Sequence, residues 1–234
     1  MKGILYMMPN TLGGDKLSSV IPPLVPELAR EIRVYIVEDL RNARRYLKKL
    51  YPDIVIDSLV FHELNKHTRR EDLVVMLREV EKGENAAMIS EAGVPGVADP
   101  GAQLAELAHS KDIRVVPLSG PSSIILALMA SGMNGQNFRF HGYLPVKPQE
   151  RQKKLKELDV EVRKSGETQL FIETPYRNDK LLEDILRSCS SQNRLCVAAD
   201  LTMENEWIRT RTLIQWKKQR PALHKRPVIF LLGR

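Results

Sequence analysis

Short apolar runs recur along the first half of the chain, each closed by a polar or glycine-bearing turn. Residues 3–8, 33–37, 54–61, 86–89 and 113–118 read as strands. Between them apolar positions return at helical spacing. Leu73, Met76, Leu77 and Val80 mark a helix over 71–82, and further helices are expected over 40–50, 103–110 and 124–130. Pro22, Pro23 and Pro26 interrupt residues 16–32, which read as an irregular segment and then a helix from about Pro26, since proline is tolerated in a first helical turn. Strands alternating with helices predict a parallel α/β sheet of five strands. The second half differs. Strands are expected over 137–143, 169–173, 194–200, 207–214 and 227–232, with helices only over 149–162 and 178–188. More strands per helix predict a second α/β domain with an antiparallel component, hence a mixed sheet. The expected domains are residues 1–118 and 119–234.

Composition narrows the class. The chain has 234 residues, 43% hydrophobic and 28% charged, enough for a substantial core. Two cysteines, Cys189 and Cys196, form no disulfide or metal framework and read as buried thiols of a reducing compartment. The first apolar run is too short for a signal peptide and no run is long enough to span a membrane, so a cytoplasmic protein is expected. The net charge of +7 favours an anionic partner such as nucleic acid. Three basic clusters contribute to it: Arg41, Arg44, Arg45, Lys48 and Lys49; Arg151, Lys153, Lys154 and Lys156; and residues 209–226 with Trp216. Each alone reads as a solvated face. Together they suit a phosphate-rich substrate, although a carboxylate-bearing porphyrin would suit them equally.

Candidate chemistry concentrates where strands end. Residues 90–101, S-E-A-G-V-P-G-V-A-D-P-G, join a strand to a helix, and in open α/β sheets ligands sit beyond the carboxyl ends of strands. Glycines let backbone approach a ligand and prolines hold the loop in shape. Asp99 is either the N-cap of the next helix or a cleft carboxylate. Glu38 and Asp39 either begin a helix, favoured by its dipole, or orient substrate and accept a proton. His62, Glu63, Asn65, Lys66 and His67 form the most polar strand-end loop, where His62 could act as a general base near neutral pH. H-E-L-N-K-H is not H-E-x-x-H, so no metal site is expected. Arg177 reads as an internal ion pair or a phosphate contact. No G-x-G-x-x-G or G-x-x-x-x-G-K-[ST] is present, which disfavours dinucleotide and nucleoside triphosphate sites.

The ordered set of turns resembles the tetrapyrrole methylase superfamily, closest to its branch of small-subunit ribosomal RNA methyltransferases. Leu5-Tyr6 with residues 9–15, Glu38-Asp39-Leu40-Arg41, His62-Glu63-Leu64-Asn65, residues 90–101, 117–122, 140–145 and 173–177, and Asp200-Leu201-Thr202 match its motifs in order. Glu91 and Ala98 stand where the pattern has Asp and Ser, and the first loop is about two residues short. The resemblance implies an S-adenosylmethionine cofactor in a cleft between two α/β domains. It implies that Gly93, Val94, Pro95 and Val97 wrap its methionine and ribose, that Leu12 and Gly13 approach from the first loop, and that Ser122 and Ser123 meet its polar end. Ser122 also reads as a simple helix cap. Glu173, Ala199 and Pro227 would face the adenine. It further implies a homodimer and 2′-O-ribose methylation of ribosomal RNA, with Glu38, Asp39, His62 or Asn65 near the acceptor. Methylation of a tetrapyrrole or another small molecule, and a non-catalytic RNA-binding protein that keeps the cofactor, stand as alternatives.

Overall fold

Val34–Val37 (V-Y-I-V) and Ala86–Ile89 (A-A-M-I) are buried at every position, as strands covered on both faces must be. They are β2 and β4 at the centre of a parallel sheet ordered β3-β2-β4-β1-β5, with β1 Ile4–Met8, β3 Val60–Glu63 and β5 Arg114–Pro117. The structure, a computed structural model, describes residues 1–65 and 67–234. It divides into two units, Met1–Ser122 and Ser123–Arg234.

In the first unit α1 (Leu24–Glu31) and α2 (Leu40–Leu50) cover one face of the sheet, packing on Met8, Tyr35, Val37, Ala87 and Ile89. On the other face α3 (Arg70–Met76), α4 (Arg78–Glu81) and α5 (Ala102–Ser110) pack on Leu5, Val34, Ile36, Ala86 and Met88. α2 shows why these segments are helical. Ala43, Tyr46 and Leu47 form one buried stripe, its basic residues point outward, and Asp39 caps it by accepting the Asn42 N–H at 2.7 Å. The helix expected over 71–82 is two, because the turn at Leu77 flattens (φ −92°, ψ −3°). The strand expected over 54–61 is also corrected. Residues 56–58 form a 3-10 turn in which the Ser58 hydroxyl bonds the Val55 carbonyl at 2.7 Å, and β3 starts only at Val60. His62 and Glu63 therefore belong to the strand, and the following loop begins at Leu64.

The second unit carries a mixed sheet ordered β6-β7-β10-β8-β9: β6 Phe138–Tyr143, β7 Thr168–Ile172, β8 Arg194–Ala199, β9 Trp207–Thr212 and β10 Val228–Gly233. Of its neighbouring strands, only β6 and β7 pair in parallel. α6 (Ser123–Ser131) precedes it. α7 (Pro148–Ser165), α8 (Asn178–Ser188) and α9 (Leu213–Lys218) pack against Phe171, Val197 and Phe230 on one face. The strand expected over 207–214 ends at Thr212, where a capping box with Gln215 opens α9. Arg151 leaves the surface cluster in which the sequence places it. It is buried on α7 and pairs with Asp184 of α8 at 2.6 Å. Both cysteines are buried, and burial pushes the Cys189 thiol up to about 12, far from nucleophilic use. Among the described residues no helix is long and apolar enough to cross a membrane.

Candidate active site

All five strands of the first sheet end on one edge. β1 continues toward α1 on one face, whereas its neighbour β4 continues toward α5 on the other. Connections that leave on opposite faces open a crevice between two adjacent strand ends. The loops flanking it are residues 9–15 after β1 and 90–101 after β4.

These loops are bonded to each other. The Asn10 N–H donates to the Gly93 carbonyl at 2.8 Å, and the Gly93 N–H donates to the Thr11 carbonyl at 3.2 Å. The buried Asn10 amide donates to the Ser90 and Glu91 carbonyls at 3.2 and 2.9 Å. From α2, the buried Tyr46 hydroxyl donates to the Pro9 carbonyl at 2.6 Å. Gly93 needs its missing side chain. Its φ is +71°, and a Cβ there would lie 3.2 Å from both Leu12 Cδ2 and the Pro121 carbonyl oxygen. Leu12 and Gly93 are thus brought together. Pro95 is buried, Val94 half-buried, and Gly13 and Val97 exposed on the same two loops; Ser122 and Ser123 are half-buried.

Beside the crevice stands a group of acids. The Glu91 N–H donates to Glu38 Oε2 at 3.1 Å, and the Asn42 amide donates to Glu91 Oε1 at 3.0 Å. Asp99 is half-buried, and Gly101, not Asp99, occupies the N-cap position of α5. Burial first, then the charge of Glu38, pushes the Asp99 carboxyl up to about 6; a hydrogen bond with Ser90 opposes the rise and Glu91 adds to it. Of the two roles the sequence leaves open for Asp99, the cap of α5 is therefore excluded.

Of the other candidates, Asp39 follows Glu38 directly, and His62 and Asn65 belong to β3 and the loop after it, where the Leu64 N–H donates to the Val37 carbonyl at 2.8 Å. Asp39 spends one oxygen on the α2 cap. Phe61 stacks on Tyr35, on the α1/α2 side, so strand alternation turns His62 to the opposite face. There burial lowers its pKa, Glu79 of α4 partly offsets this, and its Nε2 has no partner. Asn65 shapes the turn after β3. Its amide donates to Glu63 at 3.0 Å and its oxygen accepts the His67 N–H at 2.9 Å. Lys66, named in that loop, lies outside the described residues. Asn10 and Tyr46 are the members the sequence reading missed. An asparagine directly after a strand was the available signal for the first; a tyrosine on a helix stripe gave none for the second.

In the second unit, Glu173, Ala199 and Pro227 come together at one end of the sheet. Val228 pairs with Ala199, Ile229 with Ile172, and the Asp200 N–H donates to the Pro227 carbonyl at 3.0 Å. The buried Glu173 carboxylate accepts from Arg177 and from the Thr174 N–H, both at 2.7 Å, so Arg177 forms the internal pair. Near this end Arg177 Nε, Asn178 Oδ1 and Thr202 Oγ1 are buried without partners. Buried polar atoms seldom stay unpaired.

The family model for Tetrapyrrole (Corrin/Porphyrin) Methylases matches residues 19–215. A protein named ribosomal RNA small subunit methyltransferase I from Synechocystis is 31% identical over 204 residues, covering 87% of this chain and 69% of the relative. One of the same name from Xylella fastidiosa is 32% identical over 219 residues, covering 93% and 75%. Uroporphyrin-III C-methyl transferase from Thermus thermophilus, solved in complex with S-adenyl homocysteine, has the same fold. Its TM-score is 0.60 at 15% identity, over 99% of this chain and 98% of that one. The glycine-bearing strand-end loops, the two α/β sheets and these matches together establish that the chain belongs to the tetrapyrrole methylase family.

Proposed function

We propose that this methyltransferase uses S-adenosylmethionine to methylate a ribose 2′-hydroxyl of small-subunit ribosomal RNA. The observation that carries the reading is the group of acids at the strand-end crevice, in which Glu38 accepts the Glu91 N–H and Asp99 is half-buried, burial raising its pKa to about 6. A proton acceptor works best when its pKa lies close to the operating pH. The printed names of the relatives supply the substrate class, and the charge of +7 suits it.

S-adenosylmethionine brings a methyl group already activated on a sulfonium. The chain's own residues do the rest. The backbone of Leu12, Gly13, Gly93, Val94, Pro95 and Val97, with Ser122 and Ser123, would hold the methionine and ribose portions through amide donors and acceptors. Glu173, Ala199 and Pro227 belong to the adenine in the same reading. Asn10 keeps the two loops in register. Asp99 would take the hydroxyl proton as the ribose oxygen bonds the methyl carbon and the carbon–sulfur bond breaks, leaving S-adenosylhomocysteine; burial first, and then the charge of Glu38, keep Asp99 basic enough to do so. Asp39 positions α2, and His62 and Asn65 support the β3 end. The protein acts in the cytoplasm as a homodimer, which sedimentation of the purified chain tests.

The cradle can be tested alone. Gly93→Ala forces a side chain into a left-handed backbone, at about 1–2 kcal/mol, and against Leu12 and Pro121. Calorimetry should show S-adenosylhomocysteine affinity falling about tenfold or more; unchanged affinity would remove this loop from the cofactor site. The function itself is tested with labelled cofactor and RNA from cells lacking the protein. Label in small-subunit RNA is the expected result. Label confined to small molecules would favour a tetrapyrrole-like substrate. Cofactor binding without transfer would favour a non-catalytic RNA-binding role.

A further inference from the structure

Four arginines of the second unit hold carboxylates: Arg151 with Asp184, Arg163 with Asp159, Arg177 with Glu173 and Arg226 with Asp200. Arg209, Arg211 and Arg220 hold none among the described residues. They line a pocket of about 180 Å³ together with Trp207, Trp216 and Gln219.

The sequence builds this pocket from two periodicities. β9 is the outermost strand of its sheet, and Trp207, Arg209 and Arg211 alternate onto the face that α9 covers. α9 contributes Trp216, whose indole N–H donates to the Leu195 carbonyl at 2.9 Å and fixes the helix to the sheet. The Arg211 guanidinium lies 5.2 Å over the Trp216 ring and donates to Gln219 at 3.1 Å. It is therefore held in place before any ligand arrives. Trp207 meets Trp216 edge-on, 6.0 Å between ring centres, and is only partly buried.

Edge strands are often blunted by charge, but that needs neither a tryptophan floor nor an ordered guanidinium. Arginines two apart on a strand are spaced by about 7 Å, comparable to successive phosphates of an extended strand. A partly exposed indole beside them offers a stacking face for a base. We propose that this pocket is a docking subsite for single-stranded RNA, in which Arg209, Arg211 and Arg220 bind backbone phosphates and Trp207 stacks on a base. The inference rests on the RNA substrate proposed above and adds a site that the cofactor-binding loops do not provide.

The test uses the full chain and a fluorescent single-stranded RNA of mixed sequence, titrated over a range of salt. For Arg209→Gln/Arg211→Gln/Arg220→Gln, affinity should fall about tenfold or more. The slope of log K against log salt should flatten by about 2, near 0.7 for each phosphate that is no longer neutralised. S-adenosylhomocysteine affinity should not change. Arg209→Gln/Arg220→Gln leaves the Arg211–Trp216 stack intact and should lose about two-thirds of that slope, so a folding defect cannot imitate the result. Trp207→Ala should weaken binding with no change in slope. Unchanged affinity and slope in the arginine variants, with wild-type RNA binding intact, would overturn the subsite alone. Wild-type protein that binds S-adenosylhomocysteine but not RNA would overturn both this inference and the RNA reading.

Discussion

Asp99→Asn is expected to slow methyl transfer by about 10²–10⁴-fold, the range for losing a positioned proton acceptor. The wild-type rate should climb as pH passes through about 6 and level off above it, because the group must be ionised to take a proton. The asparagine variant should lose that limb. Stability should move the other way. The folded value lies above the ordinary 3.8, so the folded state holds the proton more tightly than the unfolded state between 3.8 and about 6. Folding stability therefore falls as pH rises across that window and stays lower beyond it. Asparagine removes this burden. Since Asp99 is only half-buried, solvent screening cuts the gain to the order of ~1 kcal/mol, or roughly 2–4 °C in melting temperature at neutral pH. Calorimetry beside single-turnover kinetics separates the two effects. A variant that keeps the rate and the pH limb would remove Asp99 from the chemistry. Functional carboxylates that weaken the fold are a familiar trade-off.

How far the sequence reached depended on whether a feature is local. β2, β4 and α2 were plain, because a four-residue apolar run and a three-four stripe are complete signals in themselves. The parallel first sheet and mixed second sheet followed from how strands alternate with helices. That Asp39 begins a helix was one of two readings its position allowed, and the structure makes it the cap of α2. The start of α9 was legible in T-x-x-Q but was overrun by the β pattern before it. β3 was displaced because an apolar run looks the same whether it pairs or turns, and only contact with β2 decides its register. The site itself was half visible. Its glycines and prolines marked the loops, but Asn10 reaching Ser90 and Tyr46 reaching Pro9 join residues 80 and 37 apart in sequence. The raised pKa of Asp99 comes from burial first and then from Glu38, and the fold alone supplies both. His62 shows the converse. Its residue type suggested a base, yet the two-residue period of β3 turns it to the face opposite Phe61.

Asp184→Asn should strongly destabilise the second unit. Arg151 Nε and one terminal nitrogen both donate to Asp184 Oδ2, at 2.8 and 2.6 Å, with only 5% and 1% of the two side chains exposed. The same guanidinium donates to the Val146 carbonyl at 2.7 Å, so a single side chain ties α7, α8 and the loop before α7 together. Removing one member of a buried pair leaves the other charge without compensation, at about 3–5 kcal/mol. For a chain of this length that is a fall of roughly 6–20 °C in melting temperature. Glu183→Gln, one residue away and paired with Lys180 on the surface, should cost about 0–1 kcal/mol. Thermal and urea unfolding followed by circular dichroism give both numbers. Arg151→Met/Asp184→Leu discriminates further. If the loss comes from an uncompensated charge, replacing both partners with apolar groups should recover much of it, whereas a loss that comes from packing should deepen. An Asp184→Asn variant within about 1 kcal/mol of wild type would mean that the carbonyls of residues 145 and 146 already satisfy Arg151 without a counter-charge.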